Sequence, residues 1–265
     1  MKSVLITGAY GGMGRETAKL LAKNGYLVFA LDIKKAQDEE GIIQIQADIT
    51  SKESIENALS VVQRHTSELF AIIHFAGIYM MNSLVEIGES DFDRIYQTNL
   101  KGAYLVNKCF LPMLNKKSKI IITTSELAPL DPLPFTGIYA IMKSALDKYA
   151  YSLKMELQLL EIDVSVIRAG AVDTGMIGAS TTALDEFCEK TKIYNCNAKR
   201  FKSIVESVEA RKIKPEKIAK RVLKILNKRH PKFAYSINRN PLLCMLNVLP
   251  KRVQLFIIKR VLKSK

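Results

Sequence analysis

Short runs rich in Val, Ile and Leu alternate with amphipathic stretches from the N-terminus to about residue 170, and this rhythm limits the possible folds more than any other feature. The runs are SVLIT, LVFAL, IIQIQ, LFAIIHF, KIIITT and DVSVIR. Period-3.6 patterning between them predicts helices over roughly 12–24, 51–66, 90–114 and 136–160. Strands that are apolar throughout and separated by helices imply a parallel sheet covered on both faces, an α/β doubly wound architecture. After Gly170 the rhythm breaks. Residues 173–214 read as an insertion over the carboxyl edge of the sheet, a helix runs from Pro215 to about 228, and 239–265 forms an apolar and basic tail. The expected organisation is one domain over 1–238 with a C-terminal helical extension.

Charge divides the chain. Arg211 to Lys265 holds 17 basic residues against a single acid, Glu216, while the remainder is close to neutral. A near-neutral body with a basic tail points to a partner for the tail. Nucleic acid is disfavoured, because the tail lacks interleaved aromatics or a recognised motif. Cys109, Cys188, Cys196 and Cys244 are widely spaced and read as free thiols, with a reducing, cytoplasmic setting as the expectation. SVLITG begins at Ser3, so no signal peptide is read ahead of it, and no apolar run reaches the ~18 residues of a membrane span.

LITGAYGGMGRETAKLL carries the turn from the first strand into the first helix. Gly8, Gly12 and Gly14 let the backbone approach a pyrophosphate at the helix N-terminus, where free N–H groups and the helix dipole favour anions. Asp32 ends the second strand, 20 residues after Gly12. A carboxylate there accepts hydrogen bonds from ribose hydroxyls and repels a 2′-phosphate, so NAD is expected over NADP, with Lys34 and Lys35 close enough to soften the choice. Further on, IYAIMKSAL places Tyr139 and Lys143 one helical turn apart on one face. A free phenol ionises near pH ~10. An ammonium beside it favours the phenolate and is expected to draw Tyr139 down towards a working range.

These motifs together resemble the short-chain dehydrogenase/reductase family over residues 1 to about 175, and the PEKIA helix followed by a basic apolar tail resembles its retinol and 17β-hydroxysteroid dehydrogenase branch. The family's Thr-Gly-x-x-x-Gly-x-Gly turn stands here as Thr7, Gly8, Gly12 and Gly14, with Gly11 and Met13 between them. The resemblance implies a Rossmann-type sheet, adenine contacts from Asp48 and Ile49 in ADIT, and a catalytic tetrad of Asn99, Ser125, Tyr139 and Lys143. Tyr139 would exchange the proton and Lys143 would lower its pKa and hold the nicotinamide ribose. Ser125 would bond the substrate oxygen, and Asn99 would hold a water linking Lys143 to solvent. The family's Asn-Asn-Ala-Gly appears as HFAG, which keeps Ala76 and Gly77 beside the cofactor and leaves His74 as a structural residue. RAGAVDTGM replaces a proline with Ala169, keeps Gly170, and offers the backbone of Val172 and the side chain of Thr174 to the cofactor.

Ser125 precedes Tyr139 by fourteen residues, one more than the family pattern, which would land on Glu126. Ser125 remains the expectation, since an ionised carboxylate donates no hydrogen bond, and Thr123 and Thr124 read as packing residues. The altered HFAG and shifted serine keep open a second reading, a catalytically weak NAD(P)-binding regulatory protein. The leading expectation is hydride transfer between NAD(H) and a small lipophilic secondary alcohol or ketone, such as a steroid, retinoid or lipid intermediate. Met176, Ile177, Leu184, Phe187, Ile193, Tyr194 and Phe201 would form an apolar lid. A helix over 251–263 would gather Val253, Leu255, Ile257, Ile258, Val261 and Leu262 on one side and Arg252, Lys259 and Lys263 on the other, with Phe256 misplaced among the bases. That pattern suits peripheral membrane contact, or docking on the protein's own sheet or on a second subunit. The resemblance also implies a homodimer or tetramer through the helices at 90–114 and 136–160.

Overall fold

The computed structural model describes residues 1–208 and 212–263, without side chains for 176–181 and 206–208. Seven parallel strands form one sheet in the order β3-β2-β1-β4-β5-β6-β7. They are β1 (Lys2–Thr7), β2 (Tyr26–Asp32), β3 (Ile42–Gln46), β4 (Leu69–His74), β5 (Leu114–Thr123), β6 (Asp163–Ala169) and β7 (Ala234–Ile237). Six of these strands match the apolar runs. β7 does not, since AYSI is four residues long and earns its place by pairing with the edge of β6, Ile167 against Tyr235. The chain reverses its direction of travel across the sheet between β1 and β4, and such a switch point opens a crevice at the carboxyl ends of the strands.

Helices cover both faces. α1 (Gly12–Lys23) and α8 (Pro215–Leu226) bury Leu21, Val222 and Ile225 against Val4, Ile6, Ile73 and Ile121. On the opposite face α2 (Lys52–Gln63), α4 (Gly102–Phe110) and α5 (Gly137–Leu157) bury Ile55, Val62, Val106, Phe110, Leu146 and Ala150 against Leu5, Phe29, Ile72 and Ile120. These strand interiors are apolar on both faces because both faces are covered.

The long helix expected over 90–114 is composite. α3 (Glu89–Tyr96) passes through a π turn at Gln97–Lys101 into α4, where the amide of Gly102 bonds the carbonyl of Gln97, and a 3₁₀ turn at Leu111–Met113 ends it. The insertion forms two helices, α6 (Gly175–Lys190) and α7 (Asn195–Val208). The tail is likewise two helices, α9 (Pro241–Val248) and α10 (Lys251–Leu262), with Pro250 capping the second. Among the described residues no helix is long and apolar enough to cross a membrane.

α5 is fastened to the sheet by an ion pair. Arg168 on β6 donates from Nε to Asp147 Oδ1 at 2.9 Å and from a terminal nitrogen to Oδ2 at 2.7 Å. Asp147 is 6% exposed, and its Oδ1 also accepts from Thr124 Oγ1 at 3.2 Å. Removing one partner strands a buried charge, which costs more than the pair contributes. We expect Arg168→Leu to destabilise the fold by about 3 kcal/mol, read from chemical denaturation, and Arg168→Leu/Asp147→Leu to recover most of that loss.

Candidate active site

Residues at the ends of β1, β4 and β5, in the π turn at Gln97–Lys101 and on α5 converge at the carboxyl edge of the sheet. Thr7 ends β1, its carbonyl accepting the amide of Phe75 at 3.0 Å and its hydroxyl the amide of Ala76 at 3.4 Å. Gly8 follows with φ +66°, and a Cβ on it would stand 2.6 Å from the nitrogen of Ala76. A Cβ on Gly14 would lie 2.2 Å from the Gly8 carbonyl oxygen, so turn and helix meet where no side chain fits. Gly11 caps α1 with no side-chain hydrogen bond, and the first turn, with Gly12 and Met13, carries no acid. Unpartnered amides at the positive end of the dipole form a site for an anion.

Asp32 lies across the crevice. Its carboxylate accepts the amide of Tyr10 at 2.9 Å and that of Lys34 at 3.0 Å, which fixes it at the rim. Asp48 Oδ1 accepts from the amide and hydroxyl of Thr50, both at 2.8 Å. The side chain of Ile49 is buried against Gly102. Thr174 packs its methyl where a Gly12 side chain would stand. Val172 forms a parallel bridge with Ile213, and the bonds Asp173 N to Ile213 O and Ile213 N to Ala171 O leave the Val172 amide turned away from Ile213. The open helix end, the rim carboxylate and the bare backbone at Gly8, Gly14 and Gly77 fit a dinucleotide.

The reacting residues lie deeper. Tyr139 and Lys143 are both buried on α5. Ser125 Oγ accepts the amide of Leu127 at 3.2 Å and stands near enough to the Tyr139 hydroxyl to oppose the effect of burial on its pKa. Lys143 Nζ donates to the carbonyl of Thr123 at 3.2 Å and lies 5.7 Å from the centre of the Tyr139 ring. A Cβ on Gly77 would lie 3.6 Å from Lys143 Nζ and 3.3 Å from Asn99 Oδ1, so the three form one wall. Thr124 does more than pack, since its hydroxyl donates to Asp147, whereas the side chain of Thr123 is buried and only its backbone carbonyl meets Lys143.

Glu126 points elsewhere. Its Oε2 accepts the amide of Asn240 at 2.5 Å, and its Oε1 lies beside Gly170, whose missing side chain makes room for the carbonyl of Asn238. Burial raises the Glu126 pKa, against the Asn240 amide and the charge of Arg239. The one-residue offset therefore leaves the serine facing the tyrosine.

One expectation is corrected. Burial pushes Tyr139 up to about 12, with the Ser125 hydrogen bond opposing it, so the neighbouring lysine does not bring the phenol down in this arrangement. Burial lowers Lys143 to about 8 by disfavouring its charge. The side-chain amide of Asn99 bonds the backbone of Ile78, accepting from the amide at 2.7 Å and donating to the carbonyl at 2.8 Å.

Tyr79 escaped the sequence reading. Its ring packs on Tyr139 with centroids 4.8 Å apart, and it lines a cavity of about 550 Å³ with Met80, Met81 and Phe187. Its position two residues beyond Gly77 was the available signal. His74 is structural, with its buried ring bonded to Asn107 at 2.9 Å and lowered to about 4 by burial. Of the lid residues, Leu184, Phe187, Tyr194 and Phe201 pack with Phe135 and Met81, Ile193 is exposed, and the side chains of Met176 and Ile177 lie outside the described residues.

Comparison with known proteins agrees with this geometry. A family model described as short chain dehydrogenase matches residues 2–185. A 3-ketodihydrosphingosine reductase of Bacteroides thetaiotaomicron is 25% identical over 87% of this chain and 85% of its own. Estradiol 17-beta-dehydrogenase 2 of Mus musculus is 31% identical over 67% of this chain and 50% of its own. Among solved structures, a short chain dehydrogenase family protein from Francisella tularensis superposes with a TM-score of 0.75 at 22% identity, covering 89% of this chain and 97% of its own. A 3-ketoacyl-(acyl-carrier-protein) reductase from Brucella melitensis, solved with NADH, gives 0.72 at 20% identity, over 89% of this chain and 96% of its own. A matched family model spanning most of the sheet, over a crevice built for a dinucleotide, places this chain in the short-chain dehydrogenase family, as an NAD(P)-dependent oxidoreductase acting on CH–OH groups.

Proposed function

We propose that this enzyme interconverts a lipophilic secondary alcohol and its ketone, with NAD(H) as the hydride carrier. The observation that carries the reading is the contact of Tyr139 with Ser125 beside a buried Lys143. Tyr139 is protonated at neutral pH, so it stands ready as the acid that delivers a proton to a carbonyl oxygen during reduction. Ser125 holds that oxygen and stabilises the developing alkoxide. Lys143, with Gly77 and Asn99, presents a cation to the ribose side of the crevice. The nicotinamide supplies the hydride chemistry, and the chain supplies position and charge.

The rim carboxylate of Asp32 supports NAD over NADP by repelling a 2′-phosphate. Lipophilicity is supported by the aromatic group around Phe135, whose ring lies 4.7 Å from that of Phe187 and 5.5 Å from that of Phe201. It is also supported by two relatives named for 3-ketodihydrosphingosine and estradiol. The four cysteines are free, which suits a reducing, cytoplasmic setting, and assembly as a homodimer or tetramer through α4 and α5 belongs to the same reading.

Tyr139→Phe is expected to lower turnover of a lipophilic ketone at least about a hundredfold while NADH still binds by fluorescence titration. In the same titration Asp32→Ala should erode the preference for NADH over NADPH. Retained turnover in Tyr139→Phe would remove the proton-transfer role and favour a regulatory nucleotide-binding protein.

Ser125→Ala and Glu126→Gln separate the two serine registers. Ser125→Ala should lower kcat about a hundredfold, whereas Glu126→Gln should leave kcat within about threefold, measured in steady state.

The pH profile follows from the two buried groups. The competent form for reduction has Tyr139 protonated, which holds below about 12, and Lys143 charged, which holds below about 8. Reduction should therefore be fullest below pH 8 and decline as pH rises through that value. A flat kcat profile from neutral to strongly alkaline pH would contradict this assignment.

A further inference from the structure

We propose that α9 and α10 form a docking surface for an anionic lipid bilayer. The segment from Arg239 to Lys263 contains six basic residues and no acid. α9 carries no charge at all, yet it turns a continuous apolar stripe outward. Leu242, Met245, Val248 and Leu249 recur at helical spacing and are all exposed, Met245 at 68% and Val248 at 85%. On α10 the outward face is of another kind. Phe256, 63% exposed, sits among the exposed Arg252, Lys259 and Arg260, with Leu255 exposed beside them.

The inward faces of these helices are already engaged by the protein itself, which separates docking on the body from docking outward. Asn247 Oδ1 accepts the amide of Asp131 at 2.6 Å, and Lys251 pairs with the Asp131 carboxylate. Gln254 is buried and donates to the carbonyl of Leu249 at 2.8 Å. Asn197 on α7 donates to the carbonyl of Leu262 at 2.6 Å, and Arg200 bonds the carbonyl of Lys263. The buried centre of the helix is Gln254, and Val253, Leu255 and Val261 are exposed.

Charge selects the occupant. A second copy meeting this face about a two-fold axis would bring its own Arg252, Lys259 and Arg260 against the same cations, which repel. A polyanion without apolar surface would leave the α9 stripe unsatisfied. An anionic bilayer satisfies both, since headgroups meet the bases of α10 and the acyl boundary takes the α9 stripe and Phe256. Glu126 and Asp131, at the start of and within the segment between Ser125 and Tyr139, bond this surface directly, so the docked face adjoins the region assigned to a lipophilic substrate. The docking itself stands independently of the substrate assignment.

The test is flotation of the full chain with phosphatidylcholine vesicles, with and without phosphatidylglycerol. It is run on wild type, on Met245→Asp/Val248→Asp and on Arg252→Gln/Lys259→Gln/Arg260→Gln, with molar mass and unfolding temperature measured in parallel. Wild type should float with the anionic vesicles and little with the neutral ones, and raised salt should weaken it. Each variant should bind at least tenfold less, with mass and unfolding temperature unchanged. Absence of flotation with anionic vesicles, or flotation undiminished in both variants, overturns the proposal. A fall in molar mass in Met245→Asp/Val248→Asp would assign the face to a second copy instead. No turnover is read, so the outcome is separate from that of the oxidoreductase assignment.

Discussion

Three consecutive residues at the carboxyl end of β5 are each met by one residue of α5, and the rest of the site depends on that junction. Ser125 meets Tyr139, the carbonyl of Thr123 meets Lys143, and the hydroxyl of Thr124 meets Asp147. The helical partners stand four residues apart, so they form one stripe, and Arg168 on the neighbouring strand clamps its far end. The reacting pair therefore rides on a rigid helix whose rotation is set by a bidentate ion pair one turn below. Placing such groups on a helix pinned to a parallel sheet holds them more tightly than a loop would.

The junction also governs charge. Tyr139 and Lys143 are buried by the same packing, which drives their pKa values in opposite directions, the phenol up and the ammonium down. Both shifts favour neutral forms. The phenol consequently keeps its proton across the physiological range, and Lys143 becomes the member of the pair that titrates near it. Burial sets the starting state, and whatever positive or negative groups enter the crevice then act on it at short range.

Much of this was legible in the residues, and the exceptions share a cause. β-branched runs located six strands because those strands are apolar on both faces, and the glycine turn and the Tyr139–Lys143 pair are local patterns. β7 was invisible because a four-residue strand depends on its neighbour rather than on its own composition. Which of Ser125 and Glu126 turns towards Tyr139 is decided by the path of the connecting loop and by Asn240, more than a hundred residues away. The direction of the Tyr139 shift rests on burial, which spacing does not report. In the tail, apolar periodicity left membrane contact and docking on protein both open, because it reports neither the break at Pro250 nor the burial of Gln254.

The π turn at Gln97–Lys101 adds one residue to a helix that is otherwise regular on both sides. It lies where Asn99 reaches across to clasp the backbone of Ile78. Regularising this helix by deleting a residue would restore ordinary hydrogen bonding there but turn everything beyond it by about 100°. Val106 and Phe110 would then leave the core, and Asn107 would leave His74. The helix thus has a phase as well as a length. The clasp at Asn99 and the packing of α4 each demand their own phase, and the extra residue between them reconciles the two.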